Sequence, residues 1–177
     1  MEKTVGSLMK KVVITGPESS GKTTLFNAIE EKFGIAGVTE FARIYIDQLD
    51  RPYVQGDLIE IANGQLQLEQ KFSNENKDLL LCDTDLLTLK VWSEYKYGSC
   101  DPIILNQLMR HLPDYYVLAS PDIPWEPDPQ RENPKERDEL FQIYQKEILT
   151  LKIPSIIVAG SQEQRMDQFL KFMNDLP

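Results

Sequence analysis

The sequence predicts a three-layer α/β domain built on a central, mainly parallel sheet. Three observations carry that reading. Short apolar runs alternate with longer amphipathic stretches, the pattern of repeated βαβ units. The run Leu79-Leu80-Leu81-Cys82 is apolar throughout, as a strand covered on both faces must be. The first run, Val12-Val13-Ile14-Thr15, ends at Gly16 and leads into a helical pattern. A chain of 177 residues is long enough for one full core and too short for two ordinary domains.

In chain order, residues 1–9 read as an N-terminal extension and residues 10–177 as the domain. The β-branched run 12–15 is the first strand. A helix follows over 22–33, with Leu25, Phe26, Ile29 and Phe33 on one face. Gly37 to Glu40 reads as a short second strand, leading into a segment with Ile44, Ile46 and Leu49. A long helix over 57–74 carries Leu58, Ile61, Leu66 and Phe72 as its apolar stripe. After the buried strand 79–82 comes a helix with Leu87, Val91 and Tyr95 at i, i+4 and i+8. Its aromatics, Trp92 among them, read as core. Strands at 115–119 and 155–159 and a last helix from about 164 complete the pattern.

Composition narrows the function classes. Hydrophobic residues make up 41% and charged residues 27%, the balance of a globular chain. A net charge of -9 argues against sequence-blind nucleic-acid binding, which runs on clustered positive charge. No apolar run approaches the roughly 18 residues of a membrane span. Two cysteines, Cys82 and Cys100, without metal-ligand spacing fit a reducing cytoplasm. His111, the single histidine, lies outside every motif and is given no role.

Residues 16–23, Gly-Pro-Glu-Ser-Ser-Gly-Lys-Thr, match G-x-x-x-x-G-K-[ST] in full, between an expected strand and an expected helix. Such a loop turns its backbone N–H groups inward to cradle phosphate oxygens, and the next helix aims its positive dipole end at the same point. Gly16, Glu18, Ser19, Ser20, Gly21, Lys22, Thr23 and Thr24 are therefore the expected ATP-binding residues. Lys22 would bridge the β- and γ-phosphates, and Thr23 would ligate Mg²⁺. Asp83, ending a buried strand, is the expected acidic partner of the metal; an N-cap role for Asp83 or Asp85 is the plainer alternative. No aspartate lies three residues before a later glycine, and Asn76-Lys77-Asp78 is no base-reading motif, so a GTPase is excluded. An AAA+ motor needs more chain. There remains a small kinase that phosphorylates a metabolite, on a P-loop fold of nucleoside/nucleotide kinase type, or a bare ATPase. Residues 120–137 hold five of the eleven prolines together with Arg131 and Arg137, and read as a lid whose arginines neutralise charge on the transferred group.

These residues together resemble the ribosylnicotinamide kinase domain of NadR-type proteins. The resemblance rests on the loop 16–25, Glu40-Phe41-Ala42-Arg43, Asn63-Gly64-Gln65, Asp83-Thr84-Asp85, and Pro124-Trp125 with Arg131 and Arg137, in family order. It implies transfer of the ATP γ-phosphoryl group to the 5′-hydroxyl of nicotinamide riboside. Family members with an adenylyltransferase or DNA-binding domain exceed 177 residues, so neither activity is implied. A position that is aromatic in some members is Thr39 here, and stacking on the substrate ring must come from elsewhere.

A hydroxyl nucleophile needs a carboxylate to accept its proton, and Glu40 and Asp83 are the two candidates. Substrate contacts are expected from Glu40, Arg43, Gln65, Asp83, Asp85 and Trp125, and catalysis from Lys22, Glu40, Asp83, Arg131 and Arg137. The partner is a small molecule. Kinases for another nucleoside or metabolite, and a purely regulatory ATP-binding module, are the alternatives.

Overall fold

The computed structural model describes residues 9–75 and 78–176. All of the expected extension except Met9, and the Asn76-Lys77 pair weighed above, lie outside the described residues. The elements run β1 (Lys10–Thr15), α1 (Lys22–Phe33), α2 (Phe41–Asp47), α3 (Asp57–Glu75), β2 (Leu79–Asp83), α4 (Leu86–Tyr97), α5 (Pro102–Arg110), β3 (Tyr115–Ala119), α6 (Arg137–Leu151), β4 (Ser155–Val158) and α7 (Gln162–Asn174). The four strands form a parallel sheet in the order β2-β1-β3-β4.

The period-2 alternation of strand side chains divides the core into two. Val12 and Ile14, Leu81, and Tyr115, Val117 and Ala119 face α1 and α7, where Leu25, Phe26, Ile29 and Phe169 close the layer. Val13, Leu80 and Cys82, Tyr116 and Leu118 face the opposite way, onto α2 to α6. β1 lies between two partners and its Val12, Val13 and Ile14 are fully buried. Continuous hydrophobicity in that strand is thus a consequence of having helices on both faces.

The expected second strand is reduced to one bridge. Val38 donates to Leu81 O at 2.8 Å and accepts from Asp83 N at 2.8 Å, which brings Glu40 beside the end of β2. β4 is shorter than expected and half exposed, as an edge strand can be. Helix α5 was not anticipated, although its start is written plainly. Asp101 caps it by accepting from Ile103 N at 2.8 Å, and Pro102 fills the first position, where no N–H is needed. His111 ends this helix, and its carbonyl accepts from Lys11 Nζ at 2.9 Å. Among the described residues no helix is long and apolar enough to cross a membrane.

Candidate active site

The loop from Gly16 to Gly21 joins β1 to α1 at the carboxyl edge of the sheet, where ligands bind in open α/β folds. Gly21 sits left-handed at φ 80°, immediately before the helix, which any side chain would strain. Inside the loop, Ser20 Oγ and Lys22 Nζ both donate to Pro17 O, at 2.8 and 2.7 Å. Ser19 at φ 52° and Thr84 at φ 66° are non-glycine residues in the same left-handed region, and both border the site. Sparsely populated backbone of this kind costs on the order of 1–3 kcal/mol per residue and collects where function over-determines geometry.

Asp83 and Thr23 meet across 60 residues of sequence: the Thr23 hydroxyl donates to Asp83 Oδ2 at 2.7 Å. The other oxygen, Oδ1, is buried and has no hydrogen-bond partner. Burial raises the Asp83 pKa, and Lys22 and Thr23 oppose that rise. The same burial lowers the pKa of Lys22, whose ammonium faces Glu40, Asp83 and Glu18. Glu40 is pushed up to about 7, first by burial and then by the charge of Asp83. The arrangement is a lysine ringed by three carboxylates, one of which titrates near neutrality.

Glu40 owes its place to a packing relation that explains the Asn-Gly-Gln segment of α3. Gln65 Oε1 accepts from Phe41 N at 3.0 Å, so it satisfies the first free N–H of α2. The Phe41 ring lies on Gly64, where an added Cβ would stand 2.0 Å from the ring edge. Gly64→Ala should therefore displace Phe41 and lower stability by about 1–3 kcal/mol, the usual cost of overpacking, read as a drop in thermal midpoint. Gln65 is 3% exposed; its oxygen is spent on the backbone of α2, while its buried Nε2 has no partner.

Two further residues expected at the substrate have partners within the chain. Asp85 caps α4 through Leu87 N at 3.1 Å and accepts from the Tyr116 hydroxyl at 2.7 Å, so both oxygens are engaged inside the fold. It is 3% exposed and lines, together with Glu40 and Gln65, a void of about 10 Å³, room for a single water. The face of Trp125 is taken by the chain's own cations: the Arg131 and Arg137 guanidiniums lie 5.9 and 5.8 Å from its ring centroid.

The proline-rich segment between β3 and α6 carries no helix or strand and folds over the loop. Glu18 accepts from the backbone N–H groups of Glu132 and Asn133 at 3.0 and 2.9 Å, and Ser19 Oγ accepts from Glu126 N at 2.9 Å. Arg137 donates to Ser19 O and Ile123 O at 3.0 and 2.9 Å, which makes it a tie between segment and loop; it lines neither cavity described below. Arg131 does line the phosphate-side cavity, as does Arg43, which pairs with Asp128 of the segment at 2.9 Å.

Two cavities adjoin. The first, about 120 Å³, is walled by residues 18–24, Glu40, Arg43, Arg131 and Trp92. The second, about 280 Å³, is lined by Tyr53, Trp92 and Tyr95, with Lys96 and Glu132 among its polar groups. Glu18, Trp92 and Gln130 belong to both. The core reading of Trp92 and Tyr95 is thus half of the matter: each packs on the core and presents a surface to the second cavity.

Arg165 was not anticipated at all. It is 3% exposed on α7 and donates to Ser20 O at 2.5 Å, Gly160 O at 2.9 Å and Ser120 O at 2.9 Å, and it pairs with Asp122. A guanidinium with its donors spent in this way fixes the loop carbonyls from behind. Its one sequence signal is the position four residues before buried Phe169 on the same helix face.

The fold and parts of the sequence have relatives. The NadR trifunctional NAD biosynthesis/regulator protein of Salmonella typhimurium is 26% identical over 127 residues, covering 68% of this chain and 30% of that protein. This chain therefore spans less than a third of the length of that curated relative. A crystal structure of NadR protein in complex with NR superposes with a TM-score of 0.76 at 16% identity, over 93% of this chain and 51% of that one. Thymidylate kinase from Ehrlichia chaffeensis superposes at 0.69 with 12% identity, over 94% of this chain and 99% of that one. These likenesses bear out the three-layer P-loop fold of nucleoside/nucleotide kinase type and the resemblance to NadR. A family model described as an AAA domain matches residues 11–165. Chain length set aside an AAA+ motor; the match narrows that exclusion, since a domain carrying the AAA description is present in a chain of this size. With the match spanning nearly the whole described fold, the chain belongs to the AAA_28 family of AAA domains.

Proposed function

We propose that this chain is an ATP-dependent kinase that phosphorylates the 5′-hydroxyl of nicotinamide riboside to give nicotinamide mononucleotide. The observation that carries the reading is the junction of the two cavities. The cavity of the phosphate-cradling loop and its lysine shares Glu18, Trp92 and Gln130 with an aromatic cavity of a size suited to one planar base. A riboside laid across the junction would put its ring among Tyr53, Trp92 and Tyr95 and its 5′-hydroxyl toward Glu40. A cationic pyridinium gains from aromatic faces and from the negative charge of Glu18 and Glu132.

The structure supports a division of labour between the two carboxylates. Asp83 is bonded to Thr23 and keeps a buried oxygen with no partner, which fits a hard cation that takes one or two protein oxygens beside phosphate and water. Bound there by Thr23 and Asp83, Mg²⁺ would neutralise charge on the phosphate oxygens. Glu40, poised at about 7, is the residue to accept the hydroxyl proton. Lys22 holds phosphate oxygens, and Arg131 reaches charge that grows on the transferred group. Arg131→Ala should lower kcat by about 10²–10³ while the ATP dissociation constant changes less than about threefold. Weaker ATP binding with kcat unchanged would make Arg131 a binding residue only.

The test is ADP release from Mg-ATP with nicotinamide riboside set against a panel of ordinary nucleosides. Strong stimulation by the riboside alone is the expected result. Stimulation by another nucleoside would keep the kinase and replace the acceptor; no stimulation by any would leave an ATP-binding module.

A further inference from the structure

One corner of the aromatic cavity already holds a cation, and it belongs to the chain. The Lys96 ammonium lies 4.0 Å above the centroid of the Tyr53 ring, well inside cation–π range. It donates to both carboxylate oxygens of Glu132, at 2.8 and 3.1 Å. The Tyr53 hydroxyl donates to the same carboxylate at 3.1 Å, so face and counter-charge are locked to each other. Together Tyr53 and Glu132 make a corner with a π face on one side and a bidentate anion on the other. Lys96 enters it from α4, one turn beyond Trp92 on the same helix face.

We propose that this corner is a cation subsite, that Lys96 fills it as a tethered stand-in, and that the positive ring of an acceptor binds by displacing it. The acceptor's identity rests on the function proposed above, whereas the cation subsite rests on the geometry alone. Displacement exchanges one cation for another at a pair partly open to water: the side chains of Lys96 and Glu132 are 35% and 45% exposed, so the released ammonium regains hydration. A flat cationic ring, by contrast, would bury its apolar body between Tyr53 and Trp92 and retain the Glu132 charge.

The arrangement selects by charge as well as by shape. A neutral base offers the corner nothing to replace the ammonium, so Lys96 stays in place and the base does not enter the corner. Glu132 also ties the choice to the proline-rich segment, because its backbone N–H donates to Glu18 of the phosphate loop at 3.0 Å. The residue that reads the charge of the ring is thereby held against the loop that reads phosphate.

The experiment uses the full chain and 1-methylnicotinamide, a permanently cationic pyridinium without a ribose, with neutral nicotinamide as control, in isothermal titration calorimetry. Lys96→Met should bind the cation about tenfold more tightly than the wild type, because the competitor is gone. Lys96→Arg, which keeps a tethered cation, should stay within about threefold of wild type. Glu132→Gln should weaken the cation about tenfold, and neutral nicotinamide should move less than twofold in every variant. The idea is overturned if Lys96→Met binds the cation no better than wild type, if nicotinamide follows the same pattern, or if the cation binds none of the four proteins. Turnover on nicotinamide riboside is a separate readout: cation binding by these rules without phosphorylation upholds the subsite and removes the acceptor.

Discussion

Lys22→Ala is expected to lower kcat by about three orders of magnitude and to leave the fold in place. The ammonium lies against Pro17 O at 2.7 Å and faces Glu40, Asp83 and Glu18, in a concave site that already lowers its pKa. A charge in that setting acts through a lower effective dielectric than one in water, so its attraction for phosphate oxygens is large. Removing a single preorganised group from such a site costs about 10²–10³ in rate, and loss of a full charge lies at the upper end. The fold does not depend on it. Helix α1 is held by Leu25, Phe26 and Ile29, which are at most 1% exposed, while the lysine contributes one hydrogen bond to its own loop. ADP release measured beside a thermal melt separates the two effects. Turnover within tenfold of wild type, in a variant that melts normally, would remove Lys22 from the reaction.

The phosphate-loop half of the site was legible because it is contiguous. Eight adjacent residues specify the turn, the dipole and the lysine, and the strand–loop–helix context is written on either side. Asp83 was legible for a similar reason: it ends a run too apolar to be anything but a central strand. The aromatic cavity had no such signature. Tyr53 comes from the connection before α3, Trp92 and Tyr95 from α4, and Glu132 from the proline-rich segment, so only the fold brings them together. Arg165 lies 145 residues from the loop carbonyl it supports. Where a short motif admitted two roles, the structure displays the internal one. Asp85 and Gln65 are polar residues within otherwise site-like motifs, and both spend their oxygens on backbone or tyrosine partners inside the fold. Trp125 was placed in the right segment, but stacking by Arg131 and Arg137 is a three-dimensional fact that spacing does not encode.

Glu40→Gln should move activity and stability in opposite directions, and the pair of signs is what assigns the base. With Glu40 titrating at about 7 in the free chain, wild-type kcat/KM should rise with pH through a single ionisation near neutrality and level off above it. The glutamine variant should lose about 10²–10⁴ in kcat and show no such rise. Stability follows from linkage. The carboxyl ionises at about 7 in the folded chain against a model value of 4.5, so between those pH values the folded state binds more protons than the unfolded one. Stability from this group is therefore full below pH 4.5 and declines as pH rises to about 7. The loss is about 1–3 kcal/mol once the partial exposure of the side chain is allowed for. Glutamine carries no charge to desolvate, so the variant should melt above the wild type at pH 8 and alongside it at pH 4. If the rise of kcat/KM with pH survives in Glu40→Gln and disappears in Asp83→Asn, the two carboxylates exchange roles. Asp83 would then take the proton on Oδ1, the buried oxygen without a partner, while Oδ2 keeps its bond to Thr23, and that oxygen would no longer be free for a cation.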